Sequence, residues 1–279
     1  MRPIDKILLL TDFSEVSENA KEYALLIAKK ANAEVKIMHI INTPIDWIKI
    51  SLEEEKLYPE TKMEIIEAKN NINELLIEFK NKGVTATQSI VFNVGVENIP
   101  QYIESESIEL VIMGSHGVNG IKEYTLGSNA QKVLRKSTFP ILIVKNKPKK
   151  SELSSIVFAS TFDENQFEPF QKIRSFSDIL DTELHLLYIN TPNNFKETKD
   201  IEIMLHSFCE SCEKKACKKH TYNAFNEERG IKEFMKNKPI DIFAIATEGR
   251  SSFAQLFSPS LTEAIANHLD MPVLSMHTV

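Results

Sequence analysis

The sequence predicts an α/β protein made of two tandem copies of one domain, each a five-stranded parallel sheet flanked by helices. Two observations carry this prediction. Short apolar runs alternate with segments of helical spacing, which is typical of parallel sheets with right-handed crossover connections. The second half of the chain then repeats the apolar runs and turn residues of the first half in the same order.

The composition is that of an ordinary globular protein. The chain has 279 residues, of which 42% are hydrophobic and 26% charged, and its formal net charge is −6. This acidic balance argues against non-specific binding to nucleic acids or anionic membranes. No apolar run approaches the roughly 20 residues that span a bilayer, and the N-terminus does not resemble a signal peptide. Three cysteines do not make a disulfide framework, so the sequence predicts a cytoplasmic protein.

The elements of the first half follow one another at short intervals. Apolar runs are interpreted as buried strands, and segments with apolar residues at helical spacing as helices. Asp12 or Ser14 is expected to cap the first helix, and Gly83 to end the second. Residues 45–59 are expected to form a mobile loop with some helix. The predicted strands are Ile7–Leu10, Val35–Ile41, Thr87–Phe92, Leu110–Met113 and Ile141–Val144, and the predicted helices are Val16–Ala31, Met63–Lys82, Ile99–Glu106 and Gly127–Lys136.

A charged, proline-containing linker, Lys145–Lys150, separates the two copies. We predict domain 1 at residues 1–146 and domain 2 at residues 152–279. Four segments of the second half match the first half in order, namely Ile156–Ala159, Glu183–Pro192, Ile242–Gly249 and Met271–Leu274.

The stretch Leu110–Lys145 carries a glycine pattern that favours phosphate binding. Gly114 is followed after two residues by Gly117, and after nine more by Gly127 and Ser128. Glycine lets backbone approach a ligand closely, and free N–H groups at a helix N-terminus bind anions. The pattern is neither a Walker A loop nor G-x-G-x-x-G. From the spacing, an ordinary strand–loop–helix turn remains the alternative.

Met113–Gly117, Gly127–Ser128 and Phe139–Val144 together resemble the nucleotide-binding signature of universal stress proteins. The ATP-binding branch of that family carries G-x2-G-x9-G-[S/T]. The resemblance implies two tandem Rossmann-like or flavodoxin-like domains, with ATP as the ligand and Mg²⁺ as an optional companion of its phosphates. It also implies that the last strands, Ile141–Val144 and Val273–Met276, pair as an intramolecular pseudo-dimer, and it leaves a homodimer open.

The resemblance also implies which residues contact the nucleotide. Asp12 takes the position that contacts ribose, although a helix N-cap is its alternative role. Ile40 takes the position whose backbone meets adenine, and His116 either touches phosphate or is solvated. Ser128 also forms a capping-box pattern with Gln131. The full expected set is Thr11, Asp12, Ile40, Met113, Gly114, His116, Gly117, Gly127, Ser128 and Asn129.

The second copy has lost most of this pattern, so we expect it to be degenerate and structural. Proline has no N–H to offer a phosphate and cannot take positive φ, and an added methyl group obstructs close backbone approach. The replacements are Thr161 for Asp12, Ala246 for Gly114 and Pro259 for Gly127, whereas Gly249 and Ser260 keep their residue types.

No catalytic residues are identified by the sequence. A phosphoryl-transfer enzyme needs metal ligands, a positioned base and a charge stabiliser, and no such set accompanies the glycine pattern. We therefore expect an ATP-binding protein with a stress-response or signalling role and an unidentified protein partner, not an enzyme. The alternatives are a slow ATP hydrolase and an interaction scaffold that binds no nucleotide.

All three cysteines lie in the pattern His206-x2-Cys209-x2-Cys212-x4-Cys217-x2-His220. These spacings are typical of a structural zinc site, and Cys209, Cys212, Cys217 and His220 are the candidate ligands. The alternative is that Cys209 and Cys212 lie on the apolar face of a helix, because buried cysteine behaves as a small hydrophobe.

Overall fold

A computed structural model describes residues 4–92, 99–115, 130, 133–134, 139–210, 216–236, 238–248, 265 and 269–278. Strands and helices alternate as predicted. The strands are β1 Lys6–Leu10, β2 Glu34–Ile41, β3 Ala86–Phe92, β4 Leu110–Gly114, β5 Ile141–Val144, β6 Ser155–Ala159, β7 Glu183–Asn190, β8 Lys218–Asn223, β9 Ile242–Glu248 and β10 Val273–Thr278. The helices are α1 Glu15–Ala31, α2 Leu52–Glu55, α3 Pro59–Asn81, α4 Ile99–Glu106, α5 Phe167–Leu180, α6 Thr198–Glu210 and α7 Glu227–Met235.

The ten strands of the described residues form one sheet in the order β3-β2-β1-β4-β5-β10-β9-β6-β7-β8. Every neighbouring pair within a half is parallel, and the strand order of one half mirrors that of the other. The two halves meet where β5 pairs antiparallel with β10, with Leu142 opposite Leu274. This pairing confirms the predicted intramolecular pseudo-dimer.

Alternate residues of the buried strands enter two large cores, one on each face of the sheet, because successive side chains of a strand point to opposite faces. In β1, Ile7 and Leu9 belong to the first core, whereas Leu8 and Leu10 belong to the second. Helices α1, α3, α5 and α6 cover the first core, and α4 and α7 cover the second. Both cores contain residues of both halves, so burial continues across the β5–β10 junction.

The helix ends explain where the structure departs from the sequence-based bounds. Ser14, not Asp12, is the N-cap of α1, and its side chain accepts a hydrogen bond from the Ser17 N–H. Helix α3 begins at Pro59, before the predicted start, because proline suits the first helical position. Gly83 takes a φ of +75° just beyond α3, as expected for a glycine that ends a helix. The expected loop 45–59 contains the short helix α2.

A buried lysine joins α1 to α3. The Lys21 ammonium lies 2.6 Å from a Glu18 carboxylate oxygen and 2.7 Å from one of Glu78. Burial acts to lower the pKa of Lys21, but the two carboxylates outweigh it and the pKa is raised. Lys21 therefore stays charged while its stem lies against the core.

The helix predicted at Gly127–Lys136 lies outside the described residues except for 130, 133 and 134. Across the parts of the chain that the structure describes, no helix is long and apolar enough to cross a membrane.

Truncating the strand junction should weaken both halves together. Leu274 is fully buried opposite Leu142, so Leu274→Ala should lower the free energy of unfolding by about 2–5 kcal/mol, measured by urea denaturation. Leu52→Ala, at a side chain that is 75% exposed, is the matched control and should change little. Hydrogen exchange should then accelerate in β1 and β6 alike. Faster exchange confined to the second half would contradict a continuous core.

Candidate functional site

The carboxyl ends of β1, β2 and β4 meet at one edge of the sheet, where a parallel sheet binds its ligands. The Thr11 N–H donates to the Met38 carbonyl oxygen at 3.0 Å, so β1 and β2 stay paired to the end of β1. Met113 is the last-but-one residue of β4 and pairs beside Leu10. The structure therefore brings together Thr11, Asp12 and Gly114, which lie far apart in sequence.

A tight turn follows β1. Phe13 has a φ of +61°, a left-handed conformation that is uncommon for a bulky residue. The Thr11 hydroxyl stabilises this turn, because it accepts a hydrogen bond from the Phe13 N–H at 3.1 Å and donates to the Ser17 hydroxyl at 3.2 Å. Strain of this kind concentrates at functional sites.

The Asp12 carboxylate faces the start of α1. Its Oδ1 accepts a hydrogen bond from the Ser14 hydroxyl at 2.6 Å and another from the Ser14 N–H at 3.2 Å. Asp12 therefore positions the residue that caps the helix instead of capping it directly. The side chain is only half-buried, so it is accessible from the cleft.

His39 lies beside this turn, and the sequence analysis did not identify it as a site residue. Its Nδ1 lies 2.8 Å from the Thr11 carbonyl oxygen, and a carbonyl only accepts, so Nδ1 carries the proton. Its ring lies 4.5 Å from the Phe13 ring, centroid to centroid. The neighbouring Ile40 packs on the second core together with the buried Met113. Phe13 and His39 thus lie on the face of the first core, and Ile40 and Met113 lie on the opposite face of the sheet.

Gly114 lets α1 approach β4. A Cβ atom at this position would lie 3.1 Å from Val16 Cγ1 and 3.3 Å from the Ser17 backbone nitrogen. The adjacent Ser115 is fully buried, and its N–H donates to the Val144 carbonyl oxygen at 2.8 Å. The start of α1 thus lies directly against the end of β4, where the predicted phosphate loop begins.

The remaining residues of the glycine pattern lie outside the described residues. They are His116, Gly117, Gly127, Ser128 and Asn129, together with Gly249, Pro259 and Ser260 of the second half. Their role in nucleotide binding stays a prediction, as does that of the whole residue set.

The second half builds the same turn without the same chemistry. Phe162 has a φ of +56°, and the Ser160 hydroxyl accepts from its N–H at 3.0 Å, as Thr11 does for Phe13. Thr161 stands where the first half has Asp12. Ala246 is buried in the first core, so the position of Gly114 carries a methyl group here. The repeated pattern Ser/Thr-x-Phe, at residues 11–13 and 160–162, is the sequence signal that could have indicated this turn in both halves.

The candidate zinc ligands do not converge as proposed. His220 of β8 lies on the face of the second core, with its ring 5.2 Å from that of Phe234. Cys209 and Cys217 pack instead against the first core, on the other face of the sheet. Cys212 lies outside the described residues, within which no group of three or more His, Cys, Asp or Glu side chains forms a metal site. Cys209, Cys217 and His220 therefore do not form such a group, and the predicted four-ligand set, which includes Cys212, stays a prediction.

His220 forms a hydrogen-bonded chain with another histidine. Its Nε2 lies 3.0 Å from His185 Nδ1, and His185 Nε2 lies 3.1 Å from a Glu183 carboxylate oxygen. Since the carboxylate only accepts, neutral His185 carries its proton on Nε2, and His220 donates to its Nδ1. Burial lowers the pKa of both histidines, that of His220 to about 4, and the charges of Lys218 and Lys238 add to the effect.

Sequence comparison identifies the family. The sequence model of the universal stress protein family matches residues 3–145. A universal stress protein of Methanocaldococcus jannaschii is 32% identical over 155 residues, which cover 51% of this chain and 95% of the relative. One from Bacillus subtilis is 30% identical over 155 residues, covering 50% of this chain and 99% of the relative. The chain belongs to the universal stress protein family.

Solved structures extend the likeness in fold to both halves. A universal stress protein from Archaeoglobus fulgidus superimposes with a TM-score of 0.75 over 100% of each chain, at 19% identity. A putative universal stress protein from Pseudomonas aeruginosa gives a TM-score of 0.68 over 98% of this chain and 93% of that one, at 15% identity. The predicted tandem α/β fold is thereby confirmed, although these identities carry no inference about ligands.

Adding a methyl group at Gly114 should strain the contact between β4 and α1. Gly114→Ala should lower the free energy of unfolding by about 1–3 kcal/mol, measured by urea denaturation, because the new Cβ crowds Val16. Adding Val16→Ala removes the nearest atom and should recover part of that loss. A double variant whose loss equals the sum of the two single losses would contradict this contact.

Acid should destabilise the protein through the histidine pair. Both folded-state pKa values are lowered, so the unfolded chain takes up protons first and stability is lost as pH falls from about 6.5 towards 4. Each histidine should contribute less than about 1.4 kcal/mol per pH unit, since partial exposure screens the effect. Urea midpoints measured from pH 7.5 to 5 should fall less steeply for His220→Gln. If the urea midpoint of His220→Gln fell with pH as steeply as that of the wild type, His220 would not be a source of the acid sensitivity.

Proposed function

We propose that the first half binds ATP at the carboxyl ends of β1, β2 and β4, and that the second half binds no nucleotide. One observation carries this proposal: a half-buried carboxylate, Asp12, lies on a strained turn beside Gly114, where a G-x2-G-x9-G-S pattern begins. A carboxylate at the end of the first strand is suited to accept hydrogen bonds from ribose hydroxyls.

The surroundings of Asp12 suit an adenine nucleotide. His39 and Phe13 present aromatic rings beside the end of β2 on the face of the first core, and Ile40 and Met113 provide apolar surface at the strand ends on the opposite face. Aromatic rings stack with a purine base, and apolar side chains exclude water from it. The glycine pattern then extends from the end of β4, and its backbone N–H groups would bind the phosphates and leave Mg²⁺ to coordinate phosphate oxygens.

The site supports binding more than turnover. Among the described residues of the first half, Asp12 is the carboxylate that follows β1 at the cleft, and its Oδ1 is already used by Ser14. Rapid phosphoryl transfer needs a positioned base and a charge stabiliser in addition. We therefore infer a stress-response or signalling role in which ATP occupancy changes the conformation of the cleft or its affinity for a partner.

Isothermal titration with Mg-ATP should give one nucleotide per chain. Asp12→Asn keeps an oxygen for the two Ser14 hydrogen bonds but removes the charge, so affinity should fall about tenfold or more while the helix cap is preserved. Thr161→Ala, at the matching position of the second half, should bind as the wild type does. Saturation at 100 times the dissociation constant should stabilise the wild type by about 2.7 kcal/mol in thermal unfolding.

Three results would overturn parts of this proposal. Two nucleotides per chain would show that Ala246 and Pro259 do not silence the second half. No binding, with no thermal shift, would favour an interaction scaffold. Phosphate release well above background, lost in Asp12→Asn, would favour a slow ATP hydrolase.

A further inference from the structure

Two cysteines that the proposed nucleotide site does not use lie against each other near the outer edge of the second half. Cys209 lies at the end of α6, and Cys217 directly precedes the edge strand β8. The Cys209 sulfur lies 3.8 Å from the Cys217 carbonyl oxygen, so the two residues are in direct contact. Both are free thiols, half-buried against the first core.

Because of this contact, only a small movement is needed to convert the two thiols into a disulfide. A disulfide joins sulfur atoms about 2.05 Å apart with a restricted torsion, so cysteines on distant backbone segments cannot form one. Here the sulfur of one cysteine already touches the backbone of the other, so side-chain rotation and small shifts are enough to bring the two sulfur atoms together. The packing of α6 against the first core through Leu205 and Phe208 holds the end of the helix close to β8.

The surroundings also favour reaction with an oxidant. The hydrogen bond from Cys217 lowers the pKa of the Cys209 thiol to about 7, and the positive charge of Lys219 acts in the same direction. A lowered pKa raises the fraction of Cys209 that is thiolate, which is the nucleophilic form of cysteine. Partial exposure leaves its sulfur within reach of a small peroxide.

We propose that Cys209 and Cys217 form a reversible intramolecular disulfide on reaction with a hydroperoxide. The Cys209 thiolate attacks one peroxide oxygen, the O–O bond breaks, and with one proton taken up Cys209 becomes a sulfenic acid and water is released. The Cys217 sulfur then attacks the Cys209 sulfur, and the hydroxyl group leaves with the Cys217 proton as a second water. The two thiols lose two electrons in total, and hydrogen peroxide gains them. A low-molecular-weight dithiol reverses the reaction by two exchange steps.

The disulfide would restrain a helix that covers an aromatic cluster. Phe208, next to Cys209, lies 5.2 Å from the rings of Phe162 and Phe170, centroid to centroid. Phe162 is the turn residue that matches Phe13 of the first half. Oxidation would therefore restrain α6 over the turn that has lost its acidic residue. On this proposal the second half responds to oxidants, whereas the first half binds a nucleotide.

The test uses the full-length reduced protein, freed of reductant and titrated with hydrogen peroxide. In Cys212→Ser, the remaining pair should lose both thiols together, and the intact mass should fall by about 2 Da for the two hydrogens removed. Peptide mapping without reductant should link Cys209 to Cys217, and dithiothreitol should restore both thiols. Cys209→Ser and Cys217→Ser should form no intramolecular link between these positions. Hydrogen exchange in α6 should slow in the oxidised Cys212→Ser protein.

Several outcomes would overturn the proposal. Retention of both thiols by Cys212→Ser would show that the pair does not react as assigned, and circular dichroism of that variant establishes that it is folded. A wild-type map dominated by a link to Cys212 would assign the oxidation to a different pair. Sulfinic acid at Cys209 without any link, or a link that forms equally fast in urea, would exclude a pair positioned by the fold.

Discussion

The antiparallel pairing of β5 with β10 is the constraint on which the rest of the structure depends. Without it, each half would end in an apolar strand with unpaired backbone groups, which is a site for aggregation. The pairing buries both strands and lets the two cores continue from one half to the other. It also reverses the strand direction between the halves. The carboxyl ends of β1 and β6 therefore lie at opposite edges of the sheet, so the two clefts cannot share one ligand.

Apolar runs were sufficient to place the buried strands, because a buried parallel strand must be apolar on both faces. The polar edge strand β8 contains no such run. Periodicity contains no information on which strands are neighbours, so the β5–β10 junction came from the family resemblance. Helix starts were less certain, because several residues near a helix end can serve as a cap. Ser14 caps α1 while Asp12 positions it, and Pro59 extends α3 towards its N-terminus. The first difference arises from side-chain hydrogen bonds and the second from the fixed φ of proline, and a pattern of apolar residues contains neither.

The candidate site was predictable in its position but not in its detail. Strand ends located Asp12 and Gly114 at one edge, yet the contact between the rings of His39 and Phe13 depends on a turn with positive φ. No residue propensity predicts that conformation for phenylalanine. Packing also requires a glycine at position 114, because α1 lies against it. The phosphate-binding interpretation did not include this requirement. Gly114 is thus constrained by the packing of α1 and, in addition, by the close approach expected of a ligand.

The alternation of side chains along β8 explains why a zinc-like spacing need not build a zinc site. Residues of a strand reach opposite faces in turn, so ligands counted along the sequence are separated by the sheet itself. His220 therefore meets His185 on the second core, while Cys217 meets Cys209 on the first. In the first pair one histidine donates a hydrogen bond to the other, and in the second pair the Cys209 sulfur contacts the Cys217 carbonyl oxygen. The edge of the second half thus carries a proton-sensitive pair on one face and a thiol pair on the other, and the sheet between them keeps their chemistry separate.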